Sequence, residues 1–219
     1  MKKPLIKAIL FDWDLTLAHT IGVGNSDERL TMLFQQQGLP YTLPEMQEAQ
    51  SRRAAVQTVV PVLTIVPQTK QAIKENYAAL LTELQHPFVE DSLLEELYYG
   101  FAELPTALYA DVTPTVLQLQ AAGYELGIIT NHTASVRPTI QRMVGDYFPA
   151  HTITISEEED VYKPNGEIFQ TAAARLGVAP EECVFVGDNK WVDAVGAVEQ
   201  GGFQQGFWLN REGESLHSP

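Results

Sequence analysis

The chain has 219 residues, of which 45% are apolar and 19% charged, a balance that can bury a sizeable core and excludes wholesale disorder. Its 14 Lys and Arg stand against 28 Asp and Glu, for a formal net charge of −14, so its surface repels nucleic-acid phosphates and anionic membranes alike. Cys183 is the single cysteine, which excludes an internal disulfide framework and a thiolate zinc cluster built from one chain.

No stretch approaches the ~18 apolar residues expected of a membrane span. Met1-Lys2-Lys3 and the short apolar run Leu5–Phe11 have the outline of a signal peptide. The run ends in Asp12-Trp13-Asp14, where small cleavage-site residues would stand, so it reads as a strand and the expected compartment is the cytoplasm. Its weak alternation suits a strand buried on both faces of a parallel sheet.

Residues 18–105 read differently. Leu30, Leu33 and Phe34 share a helical face, as do Ile73, Tyr77, Leu80, Leu81 and Leu84, and then Leu93, Leu94, Leu97, Tyr98, Phe101 and Leu104. Prolines punctuate the region, and Pro61 leaves the stretch Val59–Val66 ambiguous, since it would break or kink a helix there. The region reads as a helical insertion between the first strand and the second.

Beyond it, apolar runs alternate with helical patterns. Thr113-Pro114 suits a helix start and Gly123 a stop, and Tyr124–Ile129 is the next strand. Val136, Ile140, Met143 and Val144 repeat at helical spacing, followed by a weaker strand over His151–Ile155. Ile168, Ala172 and Leu176 give another helix with Gly177 as its stop. Cys183–Val186 forms a further strand, and Phe207–Leu209 adds a final edge strand. Strands alternating with helices of this length predict a doubly wound α/β core, a Rossmann-like parallel sheet over 1–17 and 106–219, carrying the helical insertion 18–105.

In such a sheet, ligands bind beyond the carboxyl ends of the strands. Those ends carry Asp12-Trp13-Asp14-Leu15-Thr16, then Thr130-Asn131, then Lys163-Pro164 after an acidic loop, then Gly187-Asp188 with Asp193 five residues on. Each strand end thus delivers a polar group, and the groups are complementary.

In order and spacing, these four segments resemble the motifs of the haloacid dehalogenase-like hydrolase superfamily over Leu5 to about Leu209, with the insertion where that superfamily carries its cap. Leu15 departs from the pattern, since many members have Gly there, and its side chain is expected to crowd the turn. The resemblance implies phosphoryl chemistry, because the metal-free dehalogenases of the superfamily generally lack a carboxylate at the position of Asp14.

The chemistry of the residues agrees with those roles. Asp12 is the candidate nucleophile, forming an aspartyl-phosphate that water then hydrolyses. Asp14 would protonate the leaving oxygen and later deprotonate the attacking water, its titration pushed away from that of Asp12 by like charge. Thr130 would offer a hydroxyl, Asn131 a backbone or side-chain N–H, and Lys163 a fixed positive charge to the transferring group.

Asp12, Asp188 and Asp193 outweigh Lys163 by two negative charges, which would repel a phosphate dianion. Each unit pair at ~4 Å and an effective dielectric of ~20 is worth roughly 4 kcal/mol. A divalent cation removes the imbalance, and oxygen-only ligands point to Mg²⁺. The resemblance implies that Asp12, the backbone carbonyl of Asp14, and Asp188 hold the metal, with Asp193 in or near its coordination shell.

Other features read more plainly. Glu157-Glu158-Glu159-Asp160 is expected to be a solvated loop, and Cys183 to be packing within its strand. The five histidines (His19, His86, His132, His151, His217) lack metal-ligand spacing, and His132, near the site, is expected to face solvent. Gly22-Val23-Gly24 has Asp27 where a dinucleotide fingerprint needs its third glycine. Trp13 should point away from Asp12 and Asp14, as padding or as one wall of the pocket. Arg29, Arg52, Arg53, Lys70, Lys74 and Tyr77 of the insertion are either surface residues or contacts for the non-phosphate part of a substrate.

The expected function is a Mg²⁺-dependent phosphatase for a small phosphorylated metabolite, with the insertion as its lid. Neither nucleic acid nor membrane is an expected partner, and the chain is expected to be a monomer or weak homodimer. The alternatives are a phosphotransferase of the sugar phosphomutase kind, a metal-free dehalogenase, and a non-catalytic binding protein on the same fold.

Overall fold

The computed structural model describes residues 5–57 and 69–211, so the ambiguous stretch Val59–Val66 and His217 lie outside the described residues. The chain opens with β1 (Ala8–Phe11), turns tightly through 12–17, and forms the short β2 (Ala18–Thr20). Four helices follow: α1 (Ser26–Gln36), α2 (Leu43–Gln57), α3 (Lys70–Glu83) and α4 (Asp91–Gly100). After β3 (Thr106–Leu108) come α5 (Val112–Ala121), β4 (Glu125–Thr130), α6 (Arg137–Val144) and β5 (Ile153–Ile155). The remainder is α7 (Ser156–Glu159), α8 (Gly166–Arg175), β6 (Cys183–Gly187), a π-helical turn over Lys190–Val195, α9 (Gly196–Glu199) and β7 (Gln205–Trp208).

The sheet has the order β5-β4-β1-β6-β7, with every adjacent pair parallel. From β1 the chain moves out through β4 to β5, then crosses back to β6 on the other side of β1. The order therefore switches at β1, and such a switch point opens a crevice beyond the carboxyl ends of the central strands. Burial on both faces explains why these strands are apolar runs. Ala8, Leu10 and Phe185 pack with Ile168, Phe169, Ala172 and Ala173 of α8 in one cluster, and Phe169 meets Phe185 edge-on at 5.4 Å between centroids.

Several element edges differ from the sequence reading, β7 among them, which spans Gln205–Trp208 and not Phe207–Leu209. His151 lies in a 3-10 turn over Ala150–Thr152, and β5 begins only at Ile153. The first strand is ladder-paired from Ala8, not from Leu5.

The chain divides into two compact units, Met1–His19 with Ala107–Pro219, and Thr20–Thr106. The inserted unit has its own core of Leu33, Phe34, Leu39, Met46, Tyr77, Leu80, Leu81, Leu97 and Leu104. The helical faces expected around Leu33, Leu80 and Leu97 are the ones buried. Helix α2 was not among the expected helices. Thr42 opens it, with its N–H and hydroxyl both donating to Glu45 at 2.8 and 2.7 Å, and Met46 and Ala49 face the core. Among the described residues no helix is long and apolar enough to cross a membrane.

Candidate active site

Pairing with β6 continues one residue past β1, since the Asp12 N–H donates to the Val186 carbonyl at 2.9 Å. Asp12 is thereby fixed at the strand end, 6% exposed. Lys163 comes from the loop before α8 and donates from Nζ to Asp12 Oδ1 and to Asp193 Oδ1, both at 2.7 Å. Its ammonium also stands 5.1 Å from the Phe185 ring centroid, a face that favours a cation.

Asn131 braces this lysine through its backbone. Its Oδ1 accepts the Lys163 N–H at 2.8 Å and its Nδ2 donates to the Lys163 carbonyl at 2.9 Å. The Asn131 amide is therefore a support for Lys163, with both its polar atoms engaged there.

Asp193 returns to the site through the turn that follows β6. Asn189 caps that turn, accepting the N–H groups of Trp191 and Val192 at 3.0 Å each, while its own N–H donates to Asp193 Oδ2 at 3.0 Å. Both Asp193 oxygens are thus engaged. Gly187 makes the room, because a Cβ there would stand 2.5 Å from the Asp193 Cβ and Cγ. The spacing Gly187-Asp188 to Asp193 is a property of this turn.

Asp12, Asp188 and Asp193 each offer an oxygen, and these lie within 4.8 Å of one another. Burial raises Asp12 well above the usual carboxylate range; Lys163 opposes this, while Asp193 and Asp188 add to it. Asp188 is pushed up to about 6, first by burial and then by Asp193. Burial alone would lower Lys163, but Asp12 and Asp193 more than reverse it and hold the ammonium above its ordinary range. One firmly charged lysine against three crowded carboxylates leaves excess negative charge. A buried all-oxygen donor set of that kind fits a hard divalent cation such as Mg²⁺.

Asp14 lies two residues past Asp12, half-buried, in a turn whose ends are tied by Leu15 N–H to the Ala18 carbonyl at 2.7 Å and Ala18 N–H to the Trp13 carbonyl at 2.9 Å. Leu15 takes the left-handed conformation in that turn, with φ 57°. An L-residue enters that region at a steric cost. Thr130 is buried at the end of β4, Thr16 is buried with its hydroxyl unpartnered among the described residues, and Trp13 is buried at 1% exposure. The Asp14 side chain is outside the three-carboxylate cluster.

Three expectations need correction or addition. His132 does not face solvent: it is buried, and its Nε2 stands 3.6 Å from Asp14 Oδ2. The acidic run is not a free loop. Its first residues form α7, Glu157 accepts the Ala134 N–H at 2.7 Å, Glu158 pairs with Arg137, and Glu159 pairs with Arg175 at 2.7 Å. Those carboxylates are spent on the turn before α6 and on the ends of α6 and α8. Arg211 adds a contact that no motif signalled, donating to the Thr16 carbonyl at 2.8 Å while pairing with Asp111 at 2.9 Å.

The family model for haloacid dehalogenase-like hydrolase matches residues 6–201. Glyceraldehyde 3-phosphate phosphatase from Methanopyrus kandleri is 44% identical over 93 residues, 42% of this chain and 40% of that relative's own length. (S)-2-haloacid dehalogenase 4A from Burkholderia cepacia is 28% identical over 199 residues, 87% of this chain and 74% of the relative. Among solved structures, a HAD phosphatase from Thermococcus onnurineus superimposes with a TM-score of 0.59 at 26% identity, covering 97% of this chain and 90% of that one.

Proposed function

The chain belongs to the haloacid dehalogenase-like hydrolases, and from that membership we propose that it is a Mg²⁺-dependent phosphatase of a small phosphorylated metabolite. The observation that carries this reading is the buried Lys163 bonded at 2.7 Å to both Asp12 and Asp193, with Asp188 beside them. Relatives of both chemistries match the chain, so the choice rests on its own residues. Asp14 supplies a second carboxylate near the nucleophile, and the surplus negative charge calls for a cation that a halide-displacing site does not need.

Asp12 attacks phosphorus through a carboxylate oxygen; the bond from phosphorus to the leaving oxygen breaks, and Asp14 passes its proton to that oxygen. The alcohol departs neutral and the phosphoryl group rests on Asp12. Water then attacks the same phosphorus, Asp14 takes a water proton, and Asp12 is released with inorganic phosphate. Lys163, the Thr130 hydroxyl and the Asn131 backbone N–H meet the oxygens of the transferring group. Asp12, Asp188 and the Asp14 carbonyl would hold the cation, with Asp193 at its margin. When bound, the cation neutralises the carboxylates and the phosphate oxygens. The inserted unit is assigned the part of a lid that limits substrate size. The cytoplasm is the proposed compartment, with neither nucleic acid nor membrane as partner and a monomer or weak homodimer as the assembly.

The test is phosphate release from a panel of phosphorylated metabolites with and without Mg²⁺, for the wild type and Asp12→Asn. Activity is expected to need the metal and to vanish in the variant. Equal turnover by Asp12→Asn removes the nucleophile. Halide release from 2-haloacids in chelator points to a dehalogenase, and dependence on a bisphosphorylated activator without free phosphate points to a mutase.

A further inference from the structure

His132 belongs to none of the residues assigned above, yet it is buried against one of them. Its Nδ1 accepts the Thr133 N–H at 2.8 Å, so that nitrogen has no room for a proton and the ring N–H is Nε2. Nε2 is 3.6 Å from Asp14 Oδ2, longer than a formed hydrogen bond and a small side-chain rotation away from one.

The ring cannot swing elsewhere at low cost. Its side chain is 3% exposed, against 22% for Asp14. The His132 N–H donates to Ser156 Oγ at 3.0 Å, and its carbonyl receives the Ser156 hydroxyl at 3.3 Å and the Glu157 N–H at 3.4 Å. The loop after β4 is thus pinned to the end of β5, and a donor of fixed direction is carried to the more exposed carboxyl group.

We propose that His132 is a positioning residue for Asp14: its Nε2–H takes Oδ2 and leaves Oδ1 turned toward the leaving oxygen of the substrate. This rests on the phosphatase reading, in which Asp14 delivers that proton. The consequence is specific. An ester with a poor leaving group needs the proton in the transition state, and an activated aryl ester scarcely does, so loss of His132 should be felt by the first alone.

The experiment measures kcat/KM with Mg²⁺ present for p-nitrophenyl phosphate and for the alkyl ester of the panel that the wild type turns over fastest. His132→Ala is expected to lower the alkyl value roughly 10- to 100-fold and the aryl value by less than about threefold. His132→Gln, which can place an N–H near the position of Nε2, should restore most of the alkyl activity. In an Asp14→Asn background, His132→Ala should cost nothing further, because the two act as one unit. His132→Phe, which keeps the ring volume without the donor, serves if the alanine variant melts at the assay temperature. Equal losses on both esters, no rescue by glutamine, or additive losses with Asp14→Asn would each overturn the proposal. A wild type that releases no phosphate from p-nitrophenyl phosphate or from any ester of the panel instead removes the phosphatase reading, and this inference with it.

Discussion

In the inserted unit Lys70 reaches Glu95 at 2.7 Å with both side chains about a third exposed; in the core unit Lys163 reaches Asp12 at the same 2.7 Å with side-chain exposures of 2% and 8%. The inserted unit buries leucines and tyrosines and keeps its charges largely at the surface, with Lys74 buried as the exception. Arg52 pairs with Glu48 and Glu83 there, and Lys74 with Asp91 and Glu95. The core unit buries charge at one place only among its motifs, the carboxyl edge of the sheet. Equal distances therefore carry unequal consequences, because water screens the first pair and is excluded from the second. Removing one partner is the direct way to break the comparison. Lys163→Met leaves three crowded carboxylates without their cation and is expected to abolish turnover and cost about 3–5 kcal/mol in metal-free unfolding. Lys70→Met should cost less than about 1 kcal/mol in the same denaturant titration. Equal costs would mean that burial does not separate the two units.

A smaller effect sharpens the same contrast through pH. Asp188 titrates near 6, above its ordinary 3.8, because burial and Asp193 disfavour its charge. A raised carboxyl pKa means that the folded, metal-free protein holds this proton more tightly than the unfolded chain does. That contribution to stability is complete below about pH 4 and is lost as pH rises through about 6. A cation bound by Asp188 must displace the proton below that point. Mg²⁺ affinity, followed by calorimetry or by the shift it causes in melting temperature, should therefore fall at least about tenfold per unit from about pH 6 downward, with Asp12, raised in the same direction, adding to the slope. An affinity that is flat across this window would place the cation away from Asp188.

The core strands and the four motif segments were legible because each rests on short-range rules. Buried parallel strands are apolar runs, and ligand groups stand at their carboxyl ends. What the sequence hid was pairing between segments distant along the chain. Asn131 bracing Lys163, and His132 turned inward by Ser156, depend on hydrogen bonds across 32 and 24 residues. No periodicity encodes such bonds. Glu157 and Glu159 misled for a related reason: a run of acids looks solvated until the N–H of Ala134 and the guanidinium of Arg175 are known to face it. Helix α2 was hidden by arginines and glutamines on its outer face, although Thr42 and Glu45 carried a capping signal three residues apart.

Leu15 offers the finest test, because it sets backbone strain at the site against ordinary packing. With φ at 57° its backbone sits where a β-carbon crowds the following carbonyl, at a cost of roughly 1–2 kcal/mol for an L-residue. The turn compels this conformation, since the Leu15 N–H must reach the Ala18 carbonyl at 2.7 Å directly after Asp14. Glycine would relieve the crowding but would lose more freedom on folding, a penalty of about 0.5–1 kcal/mol. Comparing Leu15→Gly with Leu15→Ala removes the leucine packing from both sides of the difference. The glycine variant is expected to be more stable than the alanine variant by about 0.5–1 kcal/mol in thermal or urea unfolding. Phosphate release by the glycine variant should stay within about twofold of wild type, because the turn hydrogen bonds use only main-chain atoms. An alanine variant that proves the more stable would show that the turn relaxes out of the left-handed region once the leucine is gone, and the strain at this corner of the site would then belong to the side chain and not to the fold.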